Sequence, residues 1–455
     1  MDTHETFIGK MQKIAGAAFG AAALIVLALA PSQLGFSIGG LNVTPADILL
    51  FPALFFAVLS GGFFKSRPAV ENLVFAGLVA LAAVFSESLK DGVKEFAQVF
   101  LYFVVGERVF AFALEKGSAK RTVLAVGVFL AVGAVVTATA IIQYFAPDPD
   151  TFPLLLKPGL GVRGTFSNNN VLCGFFALLL PFAFSLAIDA KATFPPQPLN
   201  EGAGVRQWAI GVTPQTSNIK PQTSNLGCIV LRIALILLVL AGLFTMLSGP
   251  ALFAVAAVIT ATAFRKCRIL GAVTAAVLLA LFFFVAPELP RDNFTAAIQS
   301  AEIYHSDSGE VQYSETGVLT HTAGTPTRRY PEWQAALMMS FEKPLVGIGP
   351  GTYQKNIGPF YDVIPRETGP NEPDIQNLYL VMVSTMGYPV LIAFLLLLYA
   401  GWNSGRSSAS SPCARAAAAA IAAFAITAIW HPLLVRGIGL PLVFMLALAR
   451  QRKAD

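Results

Sequence analysis

Two stretches of this chain set arginines beside glycines, asparagines and aromatic residues, the residue types that grip a phosphate-bearing group. The first runs Arg163-Gly164-Thr165-Phe166-Ser167-Asn168-Asn169-Asn170 into an apolar segment. Asparagine at such a boundary can cap a helix, whose exposed N–H groups favour an anion. Arginine adds a planar fork of donors that fits phosphate oxygens two at a time. Arg163, Asn168 and Asn170 could together cradle a diphosphate; the alternative is a plain cap beside a lipid-facing arginine. The second stretch is Arg328-Arg329-Tyr330-Pro331-Glu332-Trp333, followed by Pro344-Leu345-Val346-Gly347-Ile348-Gly349-Pro350-Gly351-Thr352-Tyr353. Pro331 suits the first position of a helix, on which Trp333, Leu337 and Phe341 recur at i, i+4 and i+8 as one apolar stripe. Pro344 and the glycines then force a turn. The plainer alternative is an interfacial helix anchored by Trp333, with both arginines on lipid headgroups. A third stretch, Asp374-Ile375-Gln376-Asn377-Leu378-Tyr379, opens another apolar run, where a site facing both water and lipid has to lie.

The elements that must hold these residues are membrane helices. Of the 455 residues 55% are hydrophobic and 13% charged, about half the charge of a soluble domain. Apolar runs fall at 14–31, 46–64, 70–86, 93–114, 122–146, 170–189, 228–247, 250–264, 269–286, 377–400, 415–430 and 432–450. A span needs roughly 20 such residues, so the expected fold is an all-α polytopic membrane protein with about twelve transmembrane helices. A soluble enzyme, a disordered chain and a nucleic-acid binder are excluded; the surroundings are membrane lipids. The first run, ending in Leu-Ala-Pro, also resembles a signal peptide, but with eleven runs behind it a retained helix is expected.

The net charge of +5 does not point to an anionic partner, because the basic residues sit between the runs. Connections on the face shared with the N-terminus carry eighteen lysines and arginines, from Lys10 to Lys453, while the short connections of the opposite face carry Lys90, Lys94, Lys157 and Arg163. Cytoplasmic loops retain basic residues, so both termini are expected in the cytoplasm. Five parts follow: helices 1–6 in 1–189, a cytoplasmic insertion in 190–227, helices 7–9 in 228–286, a large outer loop in 287–376, and helices 10–12 with the C-terminus in 377–455. The insertion repeats Pro-Gln-Thr-Ser-Asn at 214–218 and 221–225 and reads as disordered. Cys173, Cys228, Cys267 and Cys413 form no C-x-x-C pair, so no disulfide or zinc site is expected. Asp148-Pro149-Asp150 reads as a turn. Glu107, Arg108 and Arg436 inside apolar runs would each cost roughly 2.5–3.5 kcal/mol at mid-bilayer and are expected to pair within the protein.

With its R-x-x-x-W, Pro-Leu-Val-Gly and Gly-x-Gly-Pro-Gly, the stretch from Arg329 to Tyr353 resembles the signature of the O-antigen ligase and polymerase family of bacterial inner-membrane glycosyltransferases. The stretch from Arg163 to Asn170 resembles that family's other outer segment, and Arg163 with Gly174 resembles its R-x10-G pattern. The resemblance implies a GT-C-like fold whose large periplasmic loop lies between helices 9 and 10. It implies transfer of a glycan from an undecaprenyl-diphosphate carrier to a lipid A core or a growing glycan, with no metal or other cofactor. Carried over by position, it assigns catalysis to Arg163, Arg329, Gln376 and Asn377 and substrate binding to Asn168, Asn170, Trp333, Gly349, Gly351 and Tyr379. The arginines would stabilise charge on the departing diphosphate while a base takes the acceptor proton. Two positions depart from the pattern: ligases carry a histidine where this chain has Gln376, and many members show Ser-Arg-Gly at Ser248-Gly249-Pro250. Gln376 cannot accept a proton, which favours a polymerase over a ligase and leaves Glu367, Glu372, Asp374, His305, His321 and His431 as outer substitutes. The rivals are a transporter or flippase, which would need ionisable groups in two repeated halves, and a non-catalytic relative that only binds lipid-linked glycan.

Overall fold

The structure, a computed structural model, describes residues 7–31, 36–38, 41–61, 63, 69–115, 119–145, 165–166, 169–189, 223–246, 248–280, 326–360, 376–407, 411–433 and 437–451. The helices are α1 (Phe7–Leu29), α2 (Pro45–Leu59), α3 (Val70–Val84), α4 (Leu89–Val99), α5 (Glu107–Glu115), α6 (Ala119–Phe145), α7 (Asn169–Ile188) and α8 (Thr223–Thr245), then α9 (Gly249–Lys266), α10 (Arg268–Ala280), α11 (Pro326–Glu342), α12 (Tyr353–Asn356), α13 (Leu378–Met386), α14 (Tyr388–Arg406), α15 (Pro412–Thr427) and α16 (Gly439–Ala449). A π-helical turn, Phe100–Gly106, joins α4 to α5. One short antiparallel hairpin, β1 (Phe36–Ile38) and β2 (Leu41–Val43), departs from the all-α expectation.

Every apolar run overlaps at least one helix, and among the described residues six helical stretches are long and apolar enough to cross a membrane: Gly9–Leu29, Leu89–Leu114, Arg121–Phe145, Asn170–Ile188, Gly227–Thr245 and Tyr388–Arg406. Helix α8 begins at Thr223, inside the stretch expected to be insertion; residues 190–222 lie outside the described residues.

The bundle is built around α7, which is buried on nearly every side, as an all-round apolar helix should be. Phe129 of α6 packs against Phe175 and Phe182 of α7 at 5.8 Å between ring centroids and against Phe444 of α16 at 5.6 Å. Alanines 414, 416, 417, 420 and 423 of α15 are buried; lipid drives no hydrophobic association, so small residues that let backbones approach do it instead.

Glu107 and Arg108 inside this core are paired, as expected. Arg450 Nη1 donates to Glu107 Oε1 at 2.9 Å and Nη2 to Asn72 Oδ1 at 3.4 Å. Arg108 Nη2 donates to the Phe63 carbonyl at 2.6 Å while its guanidinium lies over the Phe63 ring. A π turn widens the helix and loosens its i→i−4 bonding, and there the amide of Asn72 donates to the Phe103 carbonyl at 2.7 Å. Arg436 lies outside the described residues.

The connections sort into two ends. At one, Asp189 meets Lys266 and Arg415, and Gln451 reaches Thr122. At the other, Thr165 Oγ1 donates to the Pro31 carbonyl, Leu378 N to the Ala428 carbonyl, and Glu87 and Asp91 pair with Lys343 and Lys355. Each of these contacts joins connections that the basic-residue pattern assigns to one face.

Candidate functional site

The tenth apolar run folds as two helices. It breaks at Gly387, where φ is +84°, and the freed backbone groups are met by the Pro344–Gly351 segment. Tyr388 N donates to the Pro344 carbonyl at 2.8 Å, Gly349 N to the Thr385 carbonyl at 2.8 Å and Ile348 N to the Ser384 carbonyl at 3.1 Å, while the Ile348 carbonyl accepts from Glu87 N. Irregular backbone survives at membrane depth only where protein satisfies it, and this segment does so. The approach is close enough that a Cβ at Gly347, with φ +65°, would lie 2.2 Å from the Thr385 carbonyl carbon. Gly349 and Gly351 face Ser86 and Glu95 in the same way. In this structure, then, the glycines assigned to substrate binding dock the segment onto the α3–α4 turn.

Helix α11 rides on this segment. It starts at Pro326, five residues before the expected Pro331, because Pro326 itself can fill a first helical position. Its buried side is Ala335, Ala336, Met339 and Ser340, which form a small second core with Ile348, Tyr353 and Ile357 against α13. Of the expected stripe, Leu337 is 40% and Phe341 70% exposed, beside Leu345 at 72%. Trp333 is half-buried against the small core. An outward apolar row of this kind suits a helix lying at a membrane interface. Arg328 and Arg329 lie in the first turn of α11; their side chains fall outside the described residues.

At the start of α13, Asn377 is the N-cap, its Oδ1 accepting from Leu380 N at 3.0 Å. The Tyr379 hydroxyl donates to the Ala425 carbonyl at 2.5 Å, tying α13 to the end of α15. Gln376 is half-buried immediately before the cap. Asn170 stands in the first turn of α7; Arg163 and Asn168 lie outside the described residues, as do His305, His321, Glu367, Glu372 and Asp374.

One contact joins residues that the sequence left apart. Ser248, just before α9, and His431, just past α15, meet with Oγ and Nε2 2.8 Å apart, and both are buried. The backbone N–H of Ser248 points to Cys173 of α7. His431 stands three residues after Ala428, whose carbonyl receives Leu378 N. The pair therefore lies between the beginnings of α7 and α13, the helices opened by the first and third sequence stretches. In the sequence Ser248 stands where many family members have Ser-Arg-Gly and His431 is one of several outer substitute bases, with nothing to join the two.

These features define a multi-pass helical membrane protein in which the Pro344–Gly351 segment is folded against a broken helix. Residues 233–395 match the family model described as O-antigen ligase. That stretch is similar to the O-antigen ligase family, and the match supports the family read from the motifs. The match takes in Ser248, Arg329, the glycine segment and the start of α13. No curated protein matches the chain.

Proposed function

We propose that this chain transfers a glycan from an undecaprenyl-diphosphate carrier to a sugar hydroxyl at the outer face of the bacterial inner membrane, without metal or cofactor, and as a polymerase extending a growing glycan. The observation that supports this reading above all is the O-antigen ligase match over 233–395. Such a transfer must offset charge growing on a diphosphate leaving group. Two arginines in the first turn of α11 add cations to a helix end that is already positive, which disfavours the helix until an anion binds there. Arg163 and the asparagines before α7 would meet the same diphosphate from a second segment, with Trp333 and the glycine segment shaping the site. Gln376 in place of the ligase histidine favours the polymerase, with the lipid A core as acceptor only in the ligase case.

The purified protein, given a lipid-linked repeat unit as the sole glycan substrate, is expected to produce a ladder of longer lipid-linked products. A product that forms only when a lipid A core is supplied would make it a ligase instead, and movement of the donor across a vesicle membrane without new glycosidic bonds would make it a transporter.

The same reading carries twelve spans in a GT-C-like arrangement, with both termini cytoplasmic and 287–376 outside. Cys267 offers a test of orientation. It lies between α9 and α10, is exposed, and its thiol is held below the usual range by the backbone N–H groups of Leu270 and Ile269. A lowered pKa leaves more thiolate at neutral pH, so an impermeant maleimide should label it quickly once it has access. With Cys267 as the sole cysteine, labelling is expected only after permeabilisation, whereas Ser308→Cys is expected to label in intact cells. The opposite pattern would invert the topology and remove the outer-face chemistry.

A further inference from the structure

Ser248 and His431 are each 1% exposed and touch through Oγ and Nε2 at 2.8 Å. A serine before a helix ordinarily accepts a hydrogen bond from the first turn. Ser248 makes no such bond; its hydroxyl is turned to the imidazole instead. His431 is the sole histidine among the described residues, and imidazole is the side chain whose ordinary pKa suits proton transfer near neutral pH. The pair sits where α7 and α9 begin and α15 ends, the last of these tied to the start of α13 by Leu378 N on the Ala428 carbonyl, and Gln376, just before that start, has no basic group to offer.

We propose that Ser248 and His431 are the proton-accepting pair of the transfer reaction. The inference rests on the transferase reading above. In the step, the acceptor hydroxyl oxygen bonds to the anomeric carbon of the donor sugar, and the carbon–oxygen bond to the diphosphate breaks with its electron pair leaving on the diphosphate. The acceptor proton passes to Ser248 Oγ as Ser248 passes its own to His431 Nε2, so the imidazole, carrying its first proton on Nδ1, ends the step as imidazolium. That tautomer is assigned by the chemistry, since Nε2 must accept. Burial of both groups keeps water from the proton path, which protects the donor from hydrolysis. An acceptor reaches Ser248 only by displacing the packing above it, so the pair engages once substrate is bound.

The test uses the purified full-length protein with lipid-linked donor. His431→Gln retains a hydrogen-bonding partner for Ser248 but cannot take the proton; kcat is expected to fall by roughly 10²-fold or more, the usual contribution of a positioned base, with the donor KM little changed. Ser248→Ala is expected to lose activity that Ser248→Thr partly restores. In His431→Ala, added imidazoles should restore transfer in order of their basicity. Near-normal kcat in His431→Gln, or equal activity of Ser248→Ala and wild type, would overturn the pair, as would rescue that follows imidazole size and ignores basicity. Should the histidine variants fail to accumulate, the Ser248→Ala and Ser248→Thr comparison decides alone: recovery by threonine supports the relay and its absence refutes it. Failure of the transferase reading looks different, because the wild-type protein itself would then form no new glycosidic bond from the lipid-linked donor.

Discussion

Replacing Arg329 with alanine is expected to lower glycan transfer by roughly 10²-fold or more, the magnitude of removing one preorganised transition-state donor. The reason is the leaving group: a departing diphosphate gains charge, and in the absence of a metal only fixed cations can offset it. Arg329→Lys should recover little, since a point charge cannot reproduce the two-pronged fork. Arg163→Ala should behave as Arg329→Ala does, and Gln376→Ala should do less harm, because an amide can orient an acceptor but not deprotonate it. Transfer would be measured at matched membrane levels, with EDTA added to a purified reaction. Full activity in both alanine variants, or abolition by EDTA, would overturn the mechanism while leaving the family assignment intact.

Gly347→Ala is expected to be the most damaging of the glycine substitutions. Its φ of +65° disfavours any other residue, and the new Cβ would lie 2.2 Å from the carbonyl carbon of Thr385. Backbone cannot step aside as the tip of a flexible side chain can. A strained conformation of this kind costs about 1–3 kcal/mol, and forcing atoms into a packed site adds about 1–3 kcal/mol more. Limited proteolysis should then cut around α11 and α12 while the helical bundle stays intact, and transfer should fall with the loss of docking. Gly127→Ala, where nothing lies within 4 Å of the added methyl, is the control and should leave both unchanged. A Gly347→Ala protein with normal protease resistance would show that the segment docks by some other means.

The bundle was the legible part of this sequence. A continuous apolar run carries its own instruction, and each of the twelve is helical over its described residues, though the tenth forms two helices. The break at Gly387 was hidden because the run is apolar on both sides; Gly387-Tyr388-Pro389 was the one local cue. The Pro344 turn was readable from its residues, but its role was not, since Ser86, Glu95 and Thr385, which make the glycines necessary, lie far away in the chain. The periodicity of Trp333, Leu337 and Phe341 was legible, but not which of them would be covered: Trp333 packs on the small core while Leu337 and Phe341 are exposed. In water such a stripe would turn inward, whereas beside lipid the small residues Ala335 and Ala336 take the buried face. Ser248 and His431 are separated by 183 residues, and nothing local to either announces the other.

The burial of α7 bears on how the protein is made. Residues 169–188 leave the ribosome well before residues 412–449, yet α15 and α16 supply much of what covers them, and Leu433 and Ile438 fill the space beside Gly174. Until those later segments are synthesised, α7 has only lipid or earlier helices to face, so its final neighbours must exchange with lipid after insertion. Packing of the core is therefore completed only after α15 and α16 are made, and a ribosome stalled before α15 would leave a membrane-inserted chain in which α7 lacks those neighbours and the Ser248–His431 contact has not formed.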